Sequence, residues 1–568
     1  MAKNGYFTFV LHSHLPYVIA HGKWPHGLDW LNEAAAETYI PLLDALNKLV
    51  DEGITPKIIV GLTPILTEQL TDNSFKDEFK AYLIQKMDAA SEDHAEFVKE
   101  KQGHMMRLAL DWHKFYKKAH DNFILKYNED IVGAFKRLQD IGAIEIITSA
   151  ATHGYLPLIG DDTFVRAQVR TGVKCYQKHF KRQPKGIWLP ECAYRPRYKW
   201  AYPIEGFGQA KERQGVEEIL HDEGLEYFIV DSHLLEGGKP IGVYIDRFKE
   251  LKSLWSQFEN NYTGPQPDNE RSPHKIYMVS SSGGNKAVSI LTRDPKTSLQ
   301  VWSGEWGYPG DGNYLDFHKK RFPGGLRYWR ITSPKSDLGS KMVYQPEVVP
   351  QRLEENANHF VNLVKSTLLD YYNKNGVPGV VVAPFDCELF GHWWFEGPEW
   401  LYLVLKKLAV EPDIELATGS GAIEKMSPTE IISIPEGSWG EGGFHWIWFN
   451  DWTKWTWQKL YETEAMMKEA LSGVNSQSKG IQLYEQMARE FLLLQSSDWQ
   501  FLISTWSARD YAELRFTDHL DRFKRLYEIT RNFTANKALA VDEAEFLADC
   551  QSKDACFQEI DIKDFMMD

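Results

Sequence analysis

Seven short apolar segments are spaced along the first two thirds of the chain, and a helix-like pattern of polar and apolar positions follows each of them. The segments are residues 6–11, 56–62, 144–149, 186–190, 227–231, 287–292 and 379–385. Apolar runs of this length, separated by amphipathic helices, are typical of parallel strands that are buried on both faces. The pattern predicts an α/β protein, and seven such strands favour a closed or nearly closed barrel over an open sheet.

Three parts of the chain do not fit this alternation. Residues 66–130 are charged and helix-forming, and we predict a helical insertion between two barrel segments, 1–65 and 131–414. Residues 238–286 are rich in Pro, Asn and Gly, as a long loop would be. Residues 415–530 are helical and aromatic and form a third predicted region. Residues 531–568 are expected to be an acidic C-terminal tail, with a peripheral helix as the alternative for residues 540–568.

Polar residues follow six of the seven predicted strands. They are His12, His14, Thr152, His153, Glu191, Asp231, His233, Arg293, Asp294, Asp386 and Glu388. In a βα-barrel all of these strand ends open on the same face, which is where active sites are built. The sequence therefore predicts one site at this face.

Two of these residues are carboxylates that follow a proline at the end of an apolar run. Glu191 comes directly after Pro190, and Asp386 lies two residues after Pro384. A buried acid is costly unless it is paired or functional. One interpretation is glycoside chemistry, in which one carboxylate attacks the anomeric carbon and the other protonates the leaving oxygen. The alternative is a structural ion pair with Arg195, Arg197 or another basic residue at a strand end.

The histidines also allow two interpretations. His12 and His14, together with His153 or an Asp, could bind a metal ion, because imidazole is a common metal ligand. They could instead donate hydrogen bonds to sugar hydroxyls. A single His-x-His pair does not decide between the two.

Tryptophan is unusually frequent, at 20 residues, and six of them lie between residues 437 and 457 among Gly and polar residues. Trp24, Trp302 and Trp306 lie in similarly polar stretches. An indole offers a flat apolar face and one N–H donor, which suits the apolar faces of sugar rings. Packing between the third region and the barrel is the alternative, and some of the six must serve it.

Charge and cysteine content narrow the classes of partner. The net charge of −15 argues against nucleic acid and anionic membranes as partners, because both bind proteins through basic patches. Five scattered cysteines without paired spacing are expected to be reduced thiols. No apolar stretch approaches the length of a membrane span, and the N-terminus does not resemble a signal peptide. We expect a cytoplasmic protein that acts on a neutral ligand.

The segments "HSHLPY" (12–17), "ATHGYLPL" (151–158), "WLPECAY" (188–194) and "PFDCELFGHWWFEGPEW" (384–400) resemble, in order and spacing, the motifs of glycoside hydrolase family 57. The resemblance runs from residue 6 to about 510. Within the family the chain is most similar to 1,4-α-glucan branching enzymes, with which it shares "HGKWPHG" (21–27), "VWSGEWGYPGD" (301–311) and a Trp-Gly-Glu-Gly-Gly stretch.

The resemblance implies a (β/α)7 barrel, a helical insertion, and a helical C-terminal domain that closes over the cleft. It implies a retaining mechanism without cofactor or metal, in which Glu191 is the nucleophile and Asp386 is the general acid/base. His14 and His153 correspond to histidines that line the cleft, and we add His12 and Arg293 as substrate-binding candidates from their strand ends. The remaining candidates are four aromatic glucan-binding positions, a polar cleft residue and a tyrosine on a mobile loop: Trp24, Trp302, Trp439, Trp448, Asp498 and Tyr244.

Several functions therefore remain in competition. The first is transfer of an α-1,4-glucan piece to a 6-hydroxyl, with α-amylase and 4-α-glucanotransferase activities as variants that use the same covalent intermediate. The second is a non-catalytic glucan-binding protein, and the third is a metal-dependent deacetylase-like enzyme. The expected partner in the first two cases is an α-glucan such as amylose, amylopectin or glycogen.

Overall fold

The computed structural model describes residues 3–236, 271–303, 307–472, 474, 480–533 and 539–566. Within these ranges no helix combines the length and apolar character needed to cross a membrane.

Seven parallel strands form the barrel wall in the described part of the chain. They span Gly5–Ser13 (β1), Ile58–Leu62 (β2), Ile144–Ser149 (β3), Gly186–Trp188 (β4), Tyr227–Val230 (β5), Val288–Thr292 (β6) and Gly379–Asp386 (β7). Their order in the sheet is β7-β1-β2-β3-β4-β5-β6. A parallel bridge between Arg293, directly after β6, and Val382 in β7 joins the two end strands. The predicted α/β barrel of seven parallel strands is confirmed.

The strands form because their side chains are apolar on both faces. All five residues of β2 and of β6 are buried, as are seven of the eight residues of β7. Helices cover the outside of the sheet and side chains fill the inside, so a strand with alternating polar positions would not fit here.

In the described residues, five further short strands lie outside this wall. Tyr277–Val279 is antiparallel to β6, and Ile431–Ile432 is parallel to Tyr277–Val279. Ile414–Leu416 is parallel to β1. Tyr198–Trp200 and Lys211–Arg213 form a separate antiparallel hairpin after β4.

Eighteen α-helices lie in the described residues. They are Leu28–Ala34 (α1), Ile40–Asp51 (α2), Pro64–Thr71 (α3), Asn73–Lys99 (α4), Gly103–Asp121 (α5), Ile131–Asp140 (α6), Asp162–Phe180 (α7), Val216–Asp222 (α8), His233–Glu236 (α9), Pro295–Trp302 (α10), Val349–Asn375 (α11), Gly397–Leu408 (α12), Gly419–Lys425 (α13), Lys454–Leu471 (α14), Ile481–Leu494 (α15), Asp498–Thr505 (α16), Arg509–Asn532 (α17) and Val541–Lys553 (α18). Aspartates cap several N-termini, as Asp72 does for α4 and Asp294 for α10.

The long helices α4 and α5 pack against each other and occupy most of residues 66–130, where we expected a helical insertion. Buried aromatic residues of α4 such as Phe75 and Phe79 join the main hydrophobic core, so these helices are fixed to the barrel.

The C-terminal region consists of the loop that carries Trp439 and helices α14–α18. Within the last segment, residues Val541–Lys553 form α18, which packs against α15 and α17. Further along, Cys556, Phe557, Ile560, Ile562 and Phe565 are buried in the main core. A few apolar residues are enough to dock this segment on the core despite its charge. The composition of the segment does not show that these residues lie on one side of it.

Candidate active site

The ends of β1 and β7 lie side by side at the mouth of the barrel. The register of the two strands pairs His12 with Asp386, the last residue of β7. His14 lies just beyond the end of β1. Two of the predicted motifs thus meet at one point, as the barrel topology requires.

Glu191 has an unusual backbone conformation. It lies in a short helical turn after β4, with φ 60° and ψ 26°, and Cys192 also has a positive φ, of 48°. Such a conformation costs a non-glycine residue about 1–3 kcal/mol. Two consecutive residues with positive φ therefore hold the backbone of this turn in a strained form at the carboxylate.

Trp439, from the loop before α14, holds Glu191 through both backbone and side chain. Its backbone N–H donates to the Glu191 carbonyl at 3.0 Å, and its indole N–H donates to Glu191 Oε2 at 3.0 Å. The Trp439 ring packs edge-on against Trp188 at 4.8 Å and against Trp302 at 5.9 Å. The C-terminal loop therefore contributes directly to the site.

The pKa of Glu191 is raised to about 7, first because the carboxyl is buried. The indole N–H of Trp439 and the charge of His14 act in the opposite direction, and the negative charges of Asp386 and Asp498 raise the pKa further. The negative charge of Asp386 thus acts on the Glu191 carboxyl at the mouth of the barrel.

Three histidines stack beside this pair. His12 Nε2 lies 3.1 Å from His153 Nε2, and the rings of His14 and His153 are 3.9 Å apart and nearly parallel. His153 Nδ1 contacts Ser497 Oγ at 3.0 Å and lies 3.9 Å from Glu191 Oε1. Burial and neighbouring imidazoles hold the pKa of His12 and of His153 well below the ordinary value. Both rings are therefore neutral near pH 7 and suited to hydrogen bonding.

His14 is fixed by three neighbours. Its Nε2 lies 2.9 Å from Asp498 Oδ2, its Nδ1 lies 3.1 Å from Thr63 Oγ1, and its backbone N–H donates to Glu388 at 3.2 Å. His14, His153 and Asp498 each place one ligand atom within 4.8 Å of the others, which is the donor set of the metal interpretation. Within this set His14 is hydrogen-bonded to Asp498, and from outside it Thr63 contacts His14 and Ser497 contacts His153.

Arg293 is placed at the site but bonded to protein groups. Its guanidinium donates to Asp231 at 3.0 Å and to Ser298 at 2.7 Å, and it lies 5.9 Å from the centre of the Trp439 ring. The guanidinium therefore lies beside the Trp439 ring and is held by protein groups, and it does not point freely toward a ligand.

The tryptophan candidates are found in different surroundings. Trp302 is half-buried at the end of α10 and lies at the site beside Trp439. Trp24 is 72% exposed on the loop before α1. Trp448 is 1% exposed, and its ring stacks on Tyr155 at 4.5 Å. The ring of Trp448 is therefore packed inside the protein, as the alternative interpretation expected for some of the six. Tyr244 and Trp306 lie outside the described residues.

The ion-pair alternative is wrong for Glu191. Arg195 contacts Asp162 at 3.4 Å, and Arg197 forms a bidentate pair with Glu218. Glu191 instead contacts Trp439, Ser497 and His153.

Sequence reasoning missed two residues of the site. Ser497 contacts both His153 and Glu191, at 3.0 and 3.5 Å, and Trp188 stacks under His12 at 4.7 Å. Ser497 directly precedes Asp498, which the sequence analysis did predict, so this adjacency is the sequence feature that could have identified Ser497. Trp188 is the last residue of β4, and its position in an apolar run predicts a core residue.

Two strand-end carboxylates, neutral imidazoles and indole rings lie at the mouth of this barrel, and a site of this composition is typical of carbohydrate-active enzymes. The model of glycosyl hydrolase family 57 matches residues 8–435, and the model of the C-terminal domain of 1,4-alpha-glucan branching enzymes matches residues 459–565. The chain belongs to glycosyl hydrolase family 57.

The similar proteins include several branching enzymes. The chain is 43% identical, over 92% of its length and 73% of the relative, to a 1,4-alpha-glucan branching enzyme from Thermococcus kodakarensis. The crystal structure of that organism's branching enzyme of this family superimposes with a TM-score of 0.89 at 40% identity, covering 100% of this chain and 97% of the other. A branching enzyme from Pyrococcus horikoshii gives 0.88 at 38%, with coverage of 99% and 97%. An α-amylase from Thermotoga maritima gives 0.80 at 29%, with 99% of each chain covered.

Proposed function

We propose that this chain is a retaining 1,4-α-glucan branching enzyme in which Glu191 is the nucleophile and Asp386 the general acid/base. The enzyme cleaves an α-1,4 bond and transfers the released piece to a 6-hydroxyl. The observation that carries the proposal is the presence of both carboxylates at strand ends on one face of the barrel, with Glu191 held by Trp439 from the C-terminal region.

The first half-reaction forms a glycosyl-enzyme. Glu191 attacks the anomeric carbon, the C1–O4 bond breaks, and Asp386 gives its proton to O4 of the leaving chain. In the second half-reaction Asp386 removes the proton of an incoming 6-hydroxyl, O6 attacks C1, and the bond to Glu191 breaks. Two inversions give net retention, which requires carboxyl groups about 5–5.5 Å apart.

The raised pKa of Glu191 bears on the assignment of roles. A carboxyl whose pKa is about 7 suits an acid as well as a nucleophile, so the position of Glu191 in the "LPE" motif decides its role in this proposal. The Trp439 indole supports it, because a hydrogen-bond donor stabilises the ionised form that must attack.

The histidines and the indole rings bind the sugar. Trp302 offers an indole face to the glucosyl residue at the site. The ring nitrogens of His153 and His14 already have partners in the protein, so a sugar hydroxyl binds to them by sharing or replacing these hydrogen bonds.

Hydrolysis and 4-α-transfer use the same intermediate and differ in the acceptor. The likeness to an α-amylase makes hydrolysis the second candidate. Higher identity to branching enzymes and the match of residues 459–565 to their C-terminal domain favour 6-transfer. We place the reaction in glycogen-type synthesis in the cytoplasm, on the basis of the neutral polymer substrate and five free cysteines.

Azide rescue separates the two carboxylate roles. Glu191→Gln and Asp386→Asn should each remove turnover of amylose by several orders of magnitude, equivalent to about 4 kcal/mol or more of barrier. With α-glucosyl fluoride and azide, the nucleophile variant should give the β-glucosyl azide and the acid/base variant the α-glucosyl azide. Exchanged products would reverse the assignment, and full activity in either variant would remove that residue from the mechanism.

The branching activity itself is tested by product structure. Amylose incubated with the enzyme and then treated with an α-1,6-specific debranching enzyme should release short linear chains. Release of chains only before debranching would identify an amylase.

A further inference from the structure

A second cavity lies between the hairpin after β4 and the loop that carries Trp439. It has a volume of about 420 Å³, within the range of small-molecule sites. Aromatic side chains form much of its wall: Tyr198, Trp200, Phe444, Trp446 and Phe449. None of the residues that line it contacts Glu191 in the described structure.

Two of these aromatic side chains are open to solvent. Tyr198 is 37% exposed and Phe444 is 41% exposed. Phe444 packs on His445, with ring centres 4.0 Å apart, so the edge of an apolar face is already fixed in place. Pre-ordered aromatic faces lose little conformational entropy when a ligand stacks on them.

A polar chain runs along the same wall. Glu436 accepts hydrogen bonds from the Tyr198 hydroxyl at 2.7 Å and from His445 Nε2 at 2.9 Å, and the Tyr155 hydroxyl donates to His445 Nδ1 at 2.8 Å. Burial raises the pKa of Glu436, but its hydrogen bond and charge interaction with His445 keep the net pKa below the ordinary value. The carboxylate is therefore ionised at neutral pH and is an oriented acceptor.

This combination selects a class of ligand. The Glu436 carboxylate would repel an anionic ligand. A purely apolar ligand would form no hydrogen bond with Glu436 or His445. A sugar chain presents apolar C–H faces to aromatic rings and hydroxyl donors to a carboxylate. The cavity thus fits a neutral carbohydrate.

The cavity is continuous with the catalytic loop. Residues Tyr194 and Gly437 form an antiparallel bridge, with N–H to O distances of 2.8 and 3.1 Å in the two directions. The same segment places Trp439 on Glu191 and Glu436 at the cavity, three residues apart, so at most roughly 10 Å of chain separates the two positions. A polymer chain that reacts at Glu191 is therefore long enough to extend into the cavity.

We propose that this cavity is a glucan-binding subsite that holds an unreacting part of an α-1,4-glucan chain, through stacking on Phe444 and Tyr198 and hydrogen bonds to Glu436. The proposal rests on the glucan specificity proposed above. In this proposal the residues that line the cavity bind the polymer and take no part in bond cleavage.

The test measures binding of amylose to the Glu191→Gln protein, with and without Phe444→Ala. Loss of one stacking face should weaken binding roughly tenfold. Phe322→Ala, which truncates a residue that is 67% exposed and outside the cavity, should leave the affinity unchanged. Circular dichroism and thermal melting of each variant check that the loop has folded, and Tyr198→Ala is the second variant if Phe444→Ala is unstable.

Equal affinity of the Phe444→Ala and parent proteins would overturn the proposal. So would a change in sedimentation coefficient without a change in glucan affinity, because the cavity would then be a contact between two copies of the chain. Formation of α-1,6 bonds by the wild-type enzyme is measured in parallel. If the wild-type enzyme forms branches but Phe444→Ala binds amylose normally, only the subsite is refuted. If Phe444→Ala binds amylose weakly but the wild-type enzyme forms no branches, only the branching function is refuted.

Discussion

At Glu191 a left-handed backbone and a single indole donor determine how the carboxylate is presented. Trp439 donates to Oε2 and favours the ionised form, while burial and the charge of Asp386 favour the protonated form. Since the nucleophile must be ionised, kcat/KM should fall as the pH drops below about 7.

Trp439→Phe tests this balance. Phenylalanine keeps an aromatic ring but lacks the N–H, so the pKa of Glu191 should rise and the acidic limb of the kcat/KM profile should move to higher pH. Trp302→Phe is the matched control, because Trp302 contacts the Trp439 ring and its own indole N–H has no hydrogen-bond partner among the described residues. An acidic limb that stays in place in Trp439→Phe would show that the indole does not control this carboxyl.

The histidine cluster makes a second prediction at the residue scale. Hydrogen bonds already engage His14, His153 and Asp498, so activity should survive dialysis against EDTA without loss. Loss of activity that Zn²⁺ restores would support the metal interpretation instead. Metal content of the purified protein, measured by mass spectrometry, provides the independent readout.

At the scale of elements, α14 is joined to the barrel through a buried acid. Glu464 accepts a hydrogen bond from the Gly160 N–H at 2.8 Å, and its pKa is raised to about 7, first by burial. The folded state therefore binds a proton that the unfolded state releases near pH 4.5, and this contribution to stability is lost as the pH rises through about 7.

Glu464→Gln should remove that pH dependence. The amide oxygen can still accept from Gly160, so the melting temperature of the variant relative to wild type should increase between pH 5 and pH 8. Glu462→Gln, on the partly exposed side of the same helix, serves as the control. A difference that does not change with pH would mean that the Glu464 carboxyl is solvated in the folded protein.

The elements of the barrel could be predicted from sequence, because all seven strands are buried on both faces and read as continuous apolar runs. Their C-terminal ends then located His12, Glu191 and Asp386 without further information. The role of the last segment could not be predicted, because its docking depends on a few apolar residues such as Phe557 and Phe565. The packing of Trp448 on Tyr155 depends on tertiary contacts that a loop sequence does not reveal.

At the scale of the whole molecule, the C-terminal region completes a site that the barrel begins. Trp439, Ser497 and Asp498 come from this region, while the carboxylates come from the barrel. A branching enzyme must keep its covalent intermediate from water until a 6-hydroxyl arrives, which requires excluding solvent and positioning an acceptor. We assign this role to the loop that carries Trp439.

Proton NMR of amylose during incubation with the enzyme tests this account most directly, because it counts α-1,6 anomeric protons and new reducing ends in the same sample. The wild-type enzyme should produce α-1,6 signals with few new reducing ends, and Trp439→Ala should raise the ratio of reducing ends to branches. Reducing ends without α-1,6 signals from the wild-type enzyme would contradict the assignment as a branching enzyme.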